Sequence, residues 1–488
     1  MKKDNRICDK SMTFHDCELA ILRSAVDLAE TKQGNLIVNT PEVQEMISTV
    51  ETFLKRKNLI CYGGVAIDAL LPDEDKIYNK NVEMSDYDCY SPTALDDAKE
   101  LADIFAEQGY TEVEAKAGVH HGTFKVYCNF IGVADITLMP KELFMTVKKT
   151  AVRVNGILYC PPNFLKMSMY VELSRPEGQL DRFEKVFKRL TLLNKHYPLT
   201  TTSCPAEYQR EMSDPSNEDI IFDSVRTTLI NQGVVFLGGY AITMYSHYMS
   251  KRRLTTFKKI ADFDVLSLDP ESTAEIVKER LKDDDIKNVK IIKYDSLWEI
   301  IPEHYEVKVG NDTIAFIYKP ISCHSYNVLK LGNKRVRVAT IDTMLSFMLA
   351  FLYADRPYYN EFSERIICMA QLLFDVQQKN RLVQKGILRR FSIECYGHHD
   401  TVSEMRAAKN DMFKKLKNKR GTREYDEWFL NYKPIKNNTS SYDISTKNNT
   451  SIDDIPKKKT KPKAKKKKHK TARGFIDFFG RRTRKLRS

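Results

Sequence analysis

Asp86 and Asp88 stand two residues apart in Ser85-Asp86-Tyr87-Asp88-Cys89-Tyr90. Residues two apart in an extended strand point to one face, so both carboxylates project together. A third acid, Asp135, lies in the apolar run Ile131-Gly132-Val133-Ala134-Asp135-Ile136-Thr137-Leu138, where a lone carboxylate would be costly to bury. Three converging carboxylates raise one another's pKa unless cations neutralise them, which points to a divalent metal site. Oxygen ligands suit Mg²⁺ or Mn²⁺, and two such ions about 3.5–4 Å apart activate an attacking hydroxyl and stabilise a leaving pyrophosphate. Upstream, Gly63-Gly64 lets the backbone approach a triphosphate closely, and a helix beginning there would aim free N–H groups at it. The chemistry implied is nucleotidyl transfer.

These residues need elements to hold them. Leu59-Ile60-Cys61-Tyr62, the two glycines, then Val65, Ala66, Ala69 and Leu70 read as strand, turn and helix. Phe124-Lys125-Val126-Tyr127 is expected to pair as a hairpin with the Asp135 strand across a turn near Asn129. Before the first strand, Leu19, Leu22, Val26 and Ala29 recur at helical spacing. Thr40-Pro41 then opens a second helix carrying Val43, Met46, Ile47, Val50, Phe53 and Leu54.

The unit returns as Val234-Val235-Phe236-Leu237-Gly238-Gly239-Tyr240-Ala241, displaced by 175 residues. Asp262-Phe263-Asp264 echoes the acid pair, and Asp355-Arg356-Pro357 echoes Ser174-Arg175-Pro176. Landmarks in one order at nearly constant offset argue for an internal duplication. The second hairpin, Tyr305 to Val309 with Thr313 to Tyr318, puts Ala315 or Phe316 where Asp135 stands. Asp312 falls in the predicted turn, so the second copy is expected to be catalytically dead.

The expected fold is α+β. An N-terminal helical segment (1–45) leads to a catalytic domain (46–198), a degenerate second domain (199–357) and a helical region (358–430). A flexible Asn/Ser/Thr-rich linker (431–456) and a basic tail (457–488) follow. With 488 residues, 42% hydrophobic and 29% charged, the chain has ordinary globular composition and is neither fibrous nor disordered as a whole. The net charge of +13 is a property of the tail, whose sixteen Lys/Arg against Asp477 alone give +15 and leave 13 − 15 = −2 elsewhere. Lys465, Lys466, Lys467 and Lys468 are its densest run and would neutralise RNA phosphates regardless of sequence. Phe475-Ile476-Asp477-Phe478-Phe479 weakly resembles a sliding-clamp-binding peptide. The longest apolar run, Met344–Tyr353, falls far short of the roughly 18 residues a membrane span needs. Ten cysteines without a C-x-x-C pair argue against structural zinc and for a reduced, cytosolic-type protein. His398-His399 is expected to be surface, without acid partners.

Tyr62-Gly63-Gly64-Val65-Ala66-Ile67-Asp68-Ala69-Leu70-Leu71-Pro72, Ser85-Asp86-Tyr87-Asp88-Cys89-Tyr90-Ser91-Pro92 and Tyr170-Val171-Glu172-Leu173-Ser174-Arg175-Pro176 resemble motifs of one viral family. This family is the poly(A) polymerase catalytic subunits of large cytoplasmic DNA viruses, within the polymerase-beta-type nucleotidyltransferases. The resemblance implies two tandem nucleotidyltransferase domains, the second degenerate, and template-independent addition of AMP from ATP to RNA 3′ ends. It implies Asp86, Asp88 and Asp135 as catalytic metal ligands for two Mg²⁺ or Mn²⁺. Gly63, Gly64, Ser85 and Lys166 would contact nucleotide, with Arg153 and Lys185 as weaker phosphate candidates. Implied partners are RNA, ATP and either a second copy or a processivity subunit, and the implied location is the host cytoplasm or virion. Val65 departs from the Ser or Thr of many members, and residues 72 to 84 form an expected excursion. Terminal uridylyl transfer, or an inactive RNA-binding scaffold, are the alternatives.

Overall fold

The computed structural model describes residues 8, 12–38, 40–78, 86–200, 212–213, 215–249, 263–355 and 363–434. Helix α1 (Phe14–Val38) leads to α2 (Pro41–Lys57). At the start of α2, Pro41 occupies the first turn and the Thr40 hydroxyl accepts from Val43 N at 3.4 Å. The apolar stripe read from sequence is the buried one: Val43, Met46, Val50, Phe53 and Leu54. Then come β1 (Ile60–Cys61), α3 (Gly63–Leu70), β2 (Tyr87–Ser91), α4 (Ala94–Glu107), β3 (Val113–Ala117), β4 (Thr123–Cys128) and β5 (Ile131–Leu138). Helix α5 (Lys141–Lys149), the hairpin β6 (Val152–Val154) and β7 (Ile157–Tyr159), and helices α6 (Pro162–Leu173) and α7 (Phe183–His196) complete the first half.

The second half repeats this plan. It runs α8 (Glu218–Gln232), β8 (Val235–Leu237), α9 (Gly238–Tyr245), β9 (Phe263–Leu266), α10 (Pro270–Asp283), β10 (Val289–Tyr294), β11 (His304–Val309) and β12 (Asp312–Tyr318). Hairpin β13 (His324–Leu331) and β14 (Lys334–Ala339) and helix α11 (Ile341–Phe351) follow. Last come α12 (Ser363–Lys379), β15 (Cys395–Tyr396), α13 (Val402–Leu416), α14 (Arg423–Phe429) and β16 (Asn431–Tyr432).

The first sheet has the order β16-β3-β4-β5-β2-β1-β7-β6 and the second β10-β11-β12-β9-β8-β14-β13-β15. Leaving aside the edge strands β16 and β15, the two orders correspond strand for strand. Directions correspond too: β2 is parallel to β5 as β9 is to β12, and antiparallel to β1 as β9 is to β8. The α+β class and the tandem repeat expected from sequence are thus present.

One apolar core runs through both halves. Helices α6 and α11, which precede the two Arg-Pro landmarks, pack on each other, and Phe164 meets Tyr353 edge-on at 5.1 Å, a pairing worth about 0.5–1.5 kcal/mol beyond its buried area. The chain after the second half returns to the first, where Asn431 and Tyr432 pair with Lys116 and Ala115.

The expectation of reduced thiols does not hold throughout. Cys8 is bonded to Cys17, and Cys323 to Cys395 across 72 residues of sequence. The second pair meets because β13 and β15 lie antiparallel, with Ser325 opposite Cys395, a tertiary pairing that leaves no spacing signal. Cys61, Cys89, Cys128 and Cys160 are free and buried. No described helix is long and apolar enough to cross a membrane.

Candidate active site

The β1–α3 turn depends on Gly63. Its φ of +69° lies in the left-handed region, which costs an L-residue roughly 1–2 kcal/mol. A Cβ there would also stand 2.5 Å from Asp88 Oδ2. Tyr62 N donates to Asp88 O at 2.9 Å, locking the turn to β2. At Gly64 a side chain would collide with the Tyr78 hydroxyl, which accepts from Arg189 at 2.6 Å. Tyr78 belongs to the excursion expected after Pro72. The buried Asp68 carboxylate anchors that segment by accepting from Ile77 N at 2.8 Å and Tyr78 N at 3.0 Å.

Asp88 lies directly opposite Asp135 on the adjacent parallel strand, so both carboxylates share a face, and Asp86 precedes Asp88 by one strand repeat. Burial raises Asp88 to about 6, aided by the charges of Asp135 and Asp86 against the pull of Lys125 and Arg182. Asp86, exposed at the edge of the site, is raised as well, by desolvation and by Asp135. Lys125, opposite Asp135 on β4, donates to it. Burial works against the Lys125 ammonium, but the Asp135 carboxylate outweighs it and raises the pKa. Two carboxylates raised by burial and by the charge of a third, beside a single lysine, are the oxygen donor set a hard divalent cation takes.

The Gly-Gly turn, Asp88 and Asp135 line a cleft of about 520 Å³, within the roughly 300–1,000 Å³ usual for ligand sites. Tyr62 stacks on Tyr90 at 3.9 Å, and its hydroxyl shares a hydrogen bond with Thr137 at 3.0 Å. Tyr90 in turn meets Trp298 of the second half edge-on at 5.6 Å. Arg182 and Arg189 also line the cleft, Arg189 close beside Gly64 and Arg182 Nε 3.1 Å from Glu172.

Lys125, Arg182, Arg189 and Tyr78 escaped the sequence reading. Lys125 was discoverable, since the predicted hairpin already set it against Asp135. The arginines arrive through the packing of α7 over the cleft and leave no local pattern.

Lys166 is misplaced by the sequence reading. Its side chain is fully buried and donates to Tyr197 O, outside the cleft, and burial lowers its pKa to about 8. Arg153 is occupied with Gly156 O and Asn58. His398 does have acid partners, 3.1 Å from Glu404 and 3.8 Å from Asp400, although all three are exposed and Glu404 serves the capping box of α13. Ser85, Asp262, the lysines 465–468 and the stretch 475–479 lie outside the described residues.

In the second half, Asp264 lies opposite Phe316, so a phenylalanine holds the place of Asp135. Asp312, four residues earlier, accepts from Ser213 N at 3.0 Å and Ser213 Oγ at 2.8 Å and does not restore the third acid.

Residues 48–179 match the family model of the poly(A) polymerase catalytic subunit. A protein of African swine fever virus assigned as such a subunit is 29% identical over 188 residues, 37% of this chain and 38% of that protein. One from Acanthamoeba polyphaga mimivirus is 31% identical over 178 residues, 35% of this chain and 30% of that protein. The matched stretch thus spans well under half of these relatives' length. The crystal structure of the Megavirus polyadenylate synthase shares the fold, with a TM-score of 0.72 at 20% identity, covering 84% of this chain and 85% of that one.

Proposed function

We propose that this chain is a template-independent poly(A) polymerase, transferring AMP from ATP to the 3′ hydroxyl of RNA and releasing pyrophosphate. The observation that carries the reading is Asp88 in register with Asp135 beneath the Gly63-Gly64 turn, in the segment that resembles viral poly(A) polymerase subunits. Asp86, Asp88 and Asp135 would hold two Mg²⁺ or Mn²⁺. When bound, such ions activate a hydroxyl and neutralise a leaving pyrophosphate.

The chain's own residues prepare this. The Gly63-Gly64 backbone and the first turn of α3 offer N–H donors to the triphosphate. Arg182 and Arg189 add positive charge to the cleft. Lys125 offsets the charge of Asp135. The stacked Tyr62 and Tyr90 give the cleft a flat apolar flank, suited to a base. The lysine run at 465–468 would hold RNA without regard to sequence.

The test is extension of a labelled short RNA with each NTP in turn, with Mg²⁺ or Mn²⁺. Long products with ATP alone, absent in Asp86→Ala/Asp88→Ala, are expected. Preferential use of UTP would convert the assignment to a uridylyl transferase, and no incorporation by a folded chain would remove it.

A further inference from the structure

Helix α7 has two working flanks. Val186 and Arg189 face the catalytic cleft, whereas Phe187, Leu190 and Asn194 line a separate pocket of about 760 Å³. At 3.6 residues per turn the two sets lie about 100° apart around the helix. The far wall of the pocket comes from α12 and the segment 381–391.

Three independent features characterise it. Phe187 and Phe391 meet edge-on at 6.1 Å, and both rings keep substantial exposure, 39% and 43%. The Arg390 guanidinium lies over both rings, at 5.3 and 4.6 Å, and is fixed by the buried Asp342 at 2.6 Å. Asn194 donates to the Tyr170 hydroxyl at 3.3 Å, while its side-chain oxygen is buried without a donor. An acceptor so placed is costly unless a ligand supplies an N–H. The lining holds no carboxylate, and Arg381, exposed at the rim, has no acidic partner among the described residues.

Two partly exposed aromatic rings braced by a guanidinium, an unmatched acceptor and a positive rim together suit a nucleotide with an exocyclic amine. The ring stacks, the amine reaches the amide oxygen once the Asn194 side chain turns toward the pocket, and the phosphate meets the rim. We infer that this pocket is a second, non-catalytic site for an adenine nucleotide of the RNA strand, holding tail already made while α7 presents its other flank to the reacting end. The inference rests on the polymerase reading for the choice of adenine, and on the pocket alone for a stacked base with an exocyclic amine.

Equilibrium binding of labelled oligo(A) and oligo(U), and of AMP, to the full chain carrying Asp135→Asn separates the two. Phe391→Ala and Arg381→Glu, both exposed substitutions, should each weaken oligo(A) on the order of 10-fold. Asn194→Leu should weaken oligo(A) but not oligo(U), whereas any contribution of the lysine-rich tail is base-independent. In the chain with Asp135 intact, the Phe391 and Arg381 variants should add the first AMP to saturating primer at the normal rate but give shorter products. Oligo(A) affinity unchanged by both would overturn the proposal. AMP binding that depends on Phe391 while oligo(A) is indifferent would replace the strand with a free nucleotide. A chain that binds oligo(A) through Phe391 yet never extends RNA would contradict the polymerase reading and leave the pocket standing.

Discussion

The two sheets share a scaffold and differ in what it carries. In each, a glycine with positive φ opens a helix after the first strand, and its missing Cβ makes room for an aspartate on the neighbouring strand, Asp88 beside Gly63 and Asp264 beside Gly238. One strand further, the halves diverge. The first places Asp135 opposite Asp88 and Lys125 opposite Asp135. The second places Phe316 opposite Asp264 and Glu306 opposite Phe316. Glu306 is buried and turned inward, accepting from Tyr294 at 2.7 Å and Thr313 at 2.5 Å. Tyr240, in the place of Val65, packs among Phe222, Phe236 and Phe263. Where the first half has an open carboxylate cleft the second has aromatic core, and part of the second half supports the first, since Trp298 packs on Tyr90. A glycine turn can therefore serve packing without a facing set of carboxylates, and the turn alone does not identify a site.

Exchanging the residues that distinguish the halves, Asp135 and Phe316, should have the largest effect. Asp135→Asn should lower AMP incorporation by about 10³-fold or more, the several kcal/mol that loss of a metal-holding carboxylate represents, with Tm nearly unchanged. Phe316→Asp should gain no activity and should lose several kcal/mol of stability, because it buries a carboxylate among aromatic rings. Paired rate and thermal-unfolding measurements read both.

Gly63→Ala and Gly238→Ala come next. Each should cost about 1–2 kcal/mol from the left-handed backbone, plus the collision with the facing aspartate. Only Gly63→Ala should also reduce turnover per folded molecule, by roughly 10- to 100-fold through misplacement of Asp88.

A pH series in chelator isolates the electrostatics. Because the Asp88 pKa is raised to about 6 from 3.8, the folded state binds the extra proton. Stability attributable to this group is complete below pH 3.8 and falls as pH rises through 6, by up to about 3 kcal/mol. Asp88→Asn should therefore raise Tm at pH 8 and leave it unchanged at pH 4. Added Mn²⁺ should stabilise the wild type more at pH 8 than at pH 5, and Asp264→Asn should leave that response intact. A metal response lost in the Asp264 variant would place a metal ligand in the second half.

The smallest effect is expected at Lys166. Lys166→Met removes a buried ammonium whose pKa is depressed to about 8, a penalty that grows as pH falls through that value. It also leaves Tyr197 O without its donor, so at pH 7 the two should nearly cancel, to within about 1 kcal/mol. Activity should stay within about threefold, and a much larger loss in a primer-extension assay would return Lys166 to the nucleotide.

What was legible in the sequence was local. Thr40-Pro41, the Gly63-Gly64 turn, the Asp86/Asp88 pair and the hairpin that carries Asp135 are each specified by residues within a few positions of one another. The repeat made the second half readable, including the absence of a third acid, and the register settles the choice between Ala315 and Phe316 in favour of Phe316. Arg182, Arg189 and Tyr78 reach the cleft through packing of α7 and a loop anchored by Asp68, contacts over tens of residues with no periodic trace. Lys166 misled because a lysine on an apolar helix has the same sequence appearance whether it reaches a phosphate or a backbone carbonyl. The Cys323–Cys395 pair was hidden for the same reason as the arginines.

On the polymerase reading, chemistry is confined to the first half. The most direct test is AMP incorporation into a labelled RNA by Asp88→Asn and Asp264→Asn side by side, each normalised to folded protein. Loss in the first with retention in the second is predicted. Loss in both, with the Asp264 variant folded, or retention in the first, would contradict the account.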